Sequence, residues 1–122
     1  MNHRKAVSFR NVDITGGFWS EKQKLNREKT IFAIEDRFRD TGRFEAFKFN
    51  WKEGSDIPRP HFFWDSDVAK WLEAVFFILA KTDDEQLESS AEEIISLIEK
   101  KQTEDGYFNI YHSVVEPGTR FT

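Results

Sequence analysis

The chain has 122 residues, a mass of 14.5 kDa, no cysteine and a net charge of −4, which allows one small domain or a piece of a larger one. Mild acidity speaks against a general nucleic-acid binder, which needs a basic face for phosphates, and without cysteine the chain alone can build no disulfide framework, thiolate nucleophile or cysteine-based metal site. Thirteen Phe and four Trp exclude a disordered composition, and no apolar run approaches the roughly 18 residues that cross a bilayer, so neither nucleic acid nor membrane is an expected partner.

Residues 1–19 read as an extended arm, with Ala6, Val7, Phe9, Val12 and Ile14 interleaved with polar residues up to Gly16-Gly17. The arm holds charges and no continuous apolar stretch, so no secretory signal is visible and a cytoplasmic location is expected. Residues 20–122 carry helices, a long loop and a hairpin. Ser20 with Gln23 fits a capping box that opens a helix over about 20–40 through Leu25, Ile31, Phe32, Ile34 and Phe38, with Gly42 as a left-handed terminator. From Arg43 to Trp64 no period holds. Phe44, Phe47, Phe49 and Trp51 suit a short strand, and the stretch through Pro58 and Pro60 reads as an irregular loop, long enough to be functional more often than a mere connector.

A second helix runs from Val68 to about Lys81, capped by Asp65, Ser66 or Asp67. Its second half, from Ala74 to Ala80, is apolar on every side and must be covered all round. A third helix starts near Thr82, where Thr82 and Glu85 form another capping box, and ends near Gln102; Leu87, Ala91, Ile94, Ile95 and Ile98 form its apolar stripe. Asp105-Gly106 makes a turn, and Tyr107–Tyr111 with Ser113–Val115 reads as a C-terminal β-hairpin. The fold class is therefore mainly α. Three helices are few to enclose one that is apolar all round, and each large apolar side chain gains about 1.5–3 kcal/mol on burial. Either the protein self-associates or it is the opening part of a larger helical domain. An inner apolar helix followed by an outer amphipathic one is the repeat of two-layer helical barrels.

Chemistry-bearing residues gather in three places. The densest is Phe62-Phe63-Trp64-Asp65-Ser66-Asp67, followed by Lys70, Trp71 and Glu73; aromatic faces beside carboxylates suit sugar recognition, the rings stacking on C–H faces and the carboxylates accepting from hydroxyls. A plainer account, which residue type alone favours, has Asp65, Ser66 and Asp67 satisfying the helix start, worth roughly 0.5–2 kcal/mol for a cap, with Trp71 in the core. Arg43, Glu45 and Trp51 form a second group, and Gln102–Tyr111 a third. From these come five candidate substrate contacts: Glu45, Trp64, Asp65, Asp67 and Tyr107. Asp65 and Asp67 are rejected as a catalytic pair, because glycosidase carboxyls face each other about 5–9.5 Å apart across the scissile bond, whereas side chains two positions apart on a helix diverge. The three histidines, His3, His61 and His112, show no metal-ligand spacing, and no phosphate-cradling loop or nucleophile elbow is present.

Three segments in order, Gly17-Phe18-Trp19-Ser20, then Phe63 to Ala74 (FWDSDVAKWLEA), then Asp105-Gly106-Tyr107-Phe108-Asn109, carry a resemblance. Over about residues 8–122, more loosely from Lys48 to His61, the chain resembles the N-terminal part of the glycoside hydrolase family 127 enzymes, the β-L-arabinofuranosidase family. The resemblance implies the early helices of an (α/α)6 barrel in a chain several times longer, with β-sandwich domains following. It implies release of L-arabinofuranose from plant-type glycans, with retention, by a zinc-bound cysteine thiolate assisted by a glutamate acid/base. In the family the cysteines, the catalytic glutamate and the zinc ligands lie downstream of the matched region, so no catalytic residue and no metal ligand is carried onto a position here, and no cofactor is expected in this segment. The expectations are a segment inactive by itself, a continuation containing cysteine and rich in glutamate, and the remaining barrel helices as partners of the second helix. The alternatives are a stand-alone helical interaction module that self-associates, or a non-catalytic carbohydrate binder.

Overall fold

A computed structural model describes residues 5–120; residues 1–4 of the expected arm, and residues 121–122, lie outside the described residues. The described part is mainly helical. Residues of the arm run extended apart from a 3-10 turn at Phe9–Asn11, and no strand forms among the described residues. The first helical rod comprises α1 (Gly17–Leu25), a π-helical stretch at Asn26–Thr30 and α2 (Ile31–Asp40). It starts at Gly17 with Gly16 as its N-cap and no side-chain cap bond, so Ser20 and Gln23 lie inside the helix and the expected capping box is not made. The π stretch shifts the helical phase. Beyond it Ile31 and Glu35 are buried, with Phe32 and Phe38 partly so, while Leu25 and Ile34 stay exposed.

Gly42 ends α2 in the left-handed region, φ 78°, where its N–H donates to the Arg39 carbonyl at 3.1 Å, as its place after Asp40-Thr41 led one to expect. The stretch after it does not form the expected strand. Arg43–Ala46 makes a short helix, α3, which sends Phe44, Ala46 and Phe47 inward. Helix α4 spans Trp64–Leu79, earlier than Val68, and α5 spans Glu85–Lys101. Asp65, Ser66 and Asp67 are not the caps of α4: they occupy its first turn, behind an N-cap at Phe63. Asp84, not Thr82, caps α5 by accepting from the Leu87 N–H at 3.1 Å, and the Thr82 hydroxyl instead donates back to the Ile78 carbonyl.

Helix α4 is central, with α2, α3 and α5 against it. Its inner stripe, Val68, Trp71, Leu72 and Val75, recurs at helical spacing and meets Ile31, Phe44, Phe47, Leu87, Ala91 and Ile94 in one core. As expected of too few helices to enclose it, its second half is not covered all round among the described residues. Phe76 and Phe77 are 46 % and 51 % exposed.

The expected C-terminal hairpin is likewise replaced. Tyr111–Val114 is a short helix, α6. Its N-cap is Ile110, without a side-chain cap bond; just before it Asn109 accepts the His112 N–H through Oδ1 at 2.8 Å and receives the Ser113 hydroxyl on its carbonyl, which favours the helical turn despite strand-favouring Tyr, Phe and Val.

Candidate functional site

The first turn of α4 holds Trp64, Asp65 and Asp67, and two carboxylates there favour the positive end of the helix dipole. They point apart. Asp65 Oδ2 accepts from Asn109 Nδ2 at 2.8 Å across 44 residues of sequence, and its Oδ1 accepts the Ser66 N–H at 2.9 Å. Asp67 Oδ2 instead faces Arg43 Nε at 3.4 Å. Burial pushes the Asp65 carboxyl up from its ordinary value, held in check by the Ser66 N–H first, then by its own and the Ile110 N–H and by the charge of His112.

Asp65 and Asn109 sit in an open groove between the start of α4, the end of α5 and the segment before α6, with Phe62, Phe63, Ala69, Ile98 and Phe108 along it. The walls are apolar and the polar groups few, which suits a ligand with hydroxyls on an apolar ring. Phe62 and Phe63 are about half exposed, with ring centroids 4.0 Å apart, and His61 stacks on Phe62 at 4.3 Å.

On the other side of the same turn, Arg43 gathers a second group. Its guanidinium lies over Trp64 at 5.4 Å and over Phe38 at 5.3 Å, bonds the Thr41 hydroxyl at 2.7 Å and faces Asp67. Glu45 is paired with Lys48 at 2.6 Å, and the Tyr107 ring lies under the Arg120 guanidinium at 4.0 Å. Beside Tyr107, bonds from the Thr103 hydroxyl and Arg120 hold the exposed Asp105 carboxyl at about 2, committing it to the turn.

Of the five residues named from sequence, Asp65 lines the groove. Trp64 and Asp67 meet at Arg43, whereas Glu45 and Tyr107 stand in separate pairs. Asn109 and Arg43 are not among them, yet Asn109 holds Asp65, and Arg43 holds Trp64 and Asp67. Arg43 stands in the second polar-aromatic group with Glu45 and Trp51, though not as a candidate contact. Asn109 stands in the third group and ends the Asp105–Asn109 segment that carries the resemblance.

The Gly17–Ser20 segment is elsewhere. Sixteen residues of α4 extend about 24 Å at 1.5 Å each, and α1 lies towards its far end, where Ser20, Gln23 and Lys24 share a cleft with Val12, Ile14 and Phe77. There the arm is tied down: Lys81 Nζ donates to the Arg10 and Val12 carbonyls and pairs with Asp13 at 2.7 Å, and Phe9 meets Phe77 edge to face at 4.9 Å. Lys81 thus holds the arm across that cleft, and the groove at the opposite end, where Asp65 and Asn109 meet, is the candidate site.

No curated protein and no solved structure matches this chain. A family model does: the one described as Beta-L-arabinofuranosidase, GH127 catalytic domain, matches residues 11–121 and includes all three segments and every residue of the groove. The chain belongs to glycoside hydrolase family 127, within its catalytic domain.

Proposed function

We propose that this chain supplies one sugar-facing wall of a β-L-arabinofuranosidase-type catalytic domain and none of the bond-breaking groups. The observation that carries the reading is the Asp65–Asn109 hydrogen bond, because it brings two of the three segments that carry the resemblance to one groove. The substrate class is a plant-type glycan ending in L-arabinofuranose. Asp65 Oδ1 accepts the Ser66 N–H and Oδ2 the Asn109 amide, and an ionised carboxylate, with about four lone-pair sites, is the acceptor for a sugar hydroxyl, while Phe62 and Phe63 offer ring faces to its C–H bonds. Trp64 and Asp67, held by Arg43, stand on the flank of this contact, and Glu45 and Tyr107 are outer contacts for longer glycans.

The zinc–thiolate centre of the family does not fit the residues present. The chain has no cysteine, and among the described residues no three His, Asp or Glu side chains cluster as a metal site would require. The chain on this reading supplies neither the thiolate nor the zinc ligands, and the acid/base is carried onto none of its positions. On this reading α4 and α5 are early helices of an (α/α)6 barrel, and further barrel helices cover Phe76 and Phe77. Self-association through the same two rings is the second reading that their exposure favours.

Trp64 adjoins Asp65, so titration with arabinose-containing oligosaccharides is expected to change the tryptophan fluorescence of the chain. Asp65→Ala is expected to weaken that response about tenfold or more, the worth of hydrogen bonds to a charged acceptor. Fluorescence that stays flat across the titration overturns the sugar-facing assignment.

A further inference from the structure

We propose that Asn109 is a positioning residue that orients the Asp65 carboxylate towards the groove; this rests on the reading of Asp65 as a sugar contact. The Asn109 carboxamide is fixed at both ends. Its Nδ2 donates to Asp65 Oδ2 at 2.8 Å, and its Oδ1 accepts the His112 N–H at 2.8 Å. An amide has one donor end and one acceptor end, so these partners together permit a single orientation. Turned over, oxygen would face carboxylate and NH2 would face N–H. The main chain of Asn109 is held as well, by the Ser113 hydroxyl on its carbonyl, and the His112 ring is tied to Thr119 Oγ1 at 2.6 Å.

The two ends of this amide do different work. Favouring the turn of α6 needs only the oxygen, and Asp or Ser in that place supplies one equally well. The Nδ2 donor is the part that the turn does not account for, and it is spent on Asp65. Without it, a carboxylate on the first turn of α4 keeps the Ser66 N–H on one oxygen and loses its Asn109 donor on the other. The groups facing the Asp65 carboxylate are then the N–H groups of Ser66, Asp65 itself and Ile110, and the His112 ring. Asn109 thus links the orientation of a groove carboxylate at α4 to a segment 44 residues away.

Asn109→Asp separates the roles: it keeps the oxygen that favours the α6 turn and replaces the donor with a like charge. Asn109→Ala removes both. Following the Asp65 carboxyl carbon by NMR as pH is raised, the titration midpoint is expected to move upward in both variants, more in Asn109→Asp, since the lost hydrogen bond and the added repulsion each disfavour the ionised form. Amide-exchange protection of residues 111–115 is expected to persist in Asn109→Asp and to fall in Asn109→Ala. The fluorescence response to arabinose-containing oligosaccharides is expected to weaken about tenfold in Asn109→Asp, as it does for loss of a charge-assisted contact. An Asp65 midpoint unchanged in Asn109→Asp overturns the proposal, and so does unchanged sugar affinity in a variant whose Asp65 has shifted. A wild-type chain with no sugar response fails the earlier reading instead, and the Asp65 titration still decides whether Asn109 sets the carboxylate.

Discussion

Replacing Trp71 with alanine is expected to lower the unfolding free energy by about 3–5 kcal/mol, the range for removing a large buried aromatic side chain. Trp71 is 3 % exposed and stands where three elements meet. Its ring packs edge-on against Phe44 of α3 at 5.2 Å, and its indole N–H crosses to α2, donating to the Ile31 carbonyl at 3.1 Å. Alanine there empties the junction of α2, α3 and α4 together, so the surroundings have no single element that can move in to fill it. Domains of this size are stable by only about 5–15 kcal/mol in total, and the variant is therefore expected to unfold at much lower urea with the same denaturant slope. Trp71→Phe keeps most of the ring and is expected to fall between. Urea unfolding followed by circular dichroism measures all three; a loss below about 1 kcal/mol for Trp71→Ala contradicts the packing described here.

The second large effect is expected at Glu35, a carboxylate 5 % exposed in the face of α2 that otherwise carries Ile31 and Phe38. Its Oε1 accepts from Arg39 Nε at 3.1 Å, from Arg39 Nη2 at 2.9 Å and from the Ser90 hydroxyl of α5 at 2.7 Å, while Oε2 is buried without a hydrogen-bond partner. Arg39 continues to Glu93 of α5 at 3.0 Å. The knot is a polar tether between α2 and α5, with the Arg39 end partly in water, so the ion pair itself is screened and the buried hydrogen bonds dominate. Glu35→Ala leaves the Ser90 hydroxyl buried and unpaired and is expected to cost about 2–3 kcal/mol. Glu35→Gln keeps an oxygen for Ser90 and Arg39 and is expected to cost about 1 kcal/mol or less. Equal losses in the two variants, measured by the same unfolding experiment, contradict the assignment of the stability to that one oxygen.

Much of this architecture is legible in the residues. The stripe Leu87, Ala91 and Ile94 marks the buried face of α5, and Gly42 marks the end of α2 because only a left-handed residue fits there. Local chemistry misleads where two neighbouring residues offer equivalent options. Thr82 and Asp84 can each cap α5, and the choice falls to Asp84 because Thr82 spends its hydroxyl on the last turn of α4. The hairpin reading of 107–115 fails for a related reason. Strand propensity of Tyr and Val is weak beside a side chain that bonds into the helical turn, and Asn109 does so.

The candidate site is legible only in part. Aromatic and acidic residues crowded at 62–67 point to the start of α4, and that is where the groove lies. What sequence spacing does not carry is pairing across the chain. Asp65 with Asn109 spans 44 residues and Asp67 with Arg43 spans 24, and both bonds exist only once α3, α4 and the segment before α6 have come together. Glu45 has the right chemistry but a nearer partner in Lys48, three residues on along the same turn.

The central claim is that a member of a glycosidase family contributes here a sugar-facing wall without the groups that break the bond. Incubating the purified 122-residue chain with zinc and an aryl β-L-arabinofuranoside, and following aryl release against a no-protein control, tests it most directly. The account predicts a rate equal to the control. Turnover above it, from a chain with no cysteine, would contradict the account.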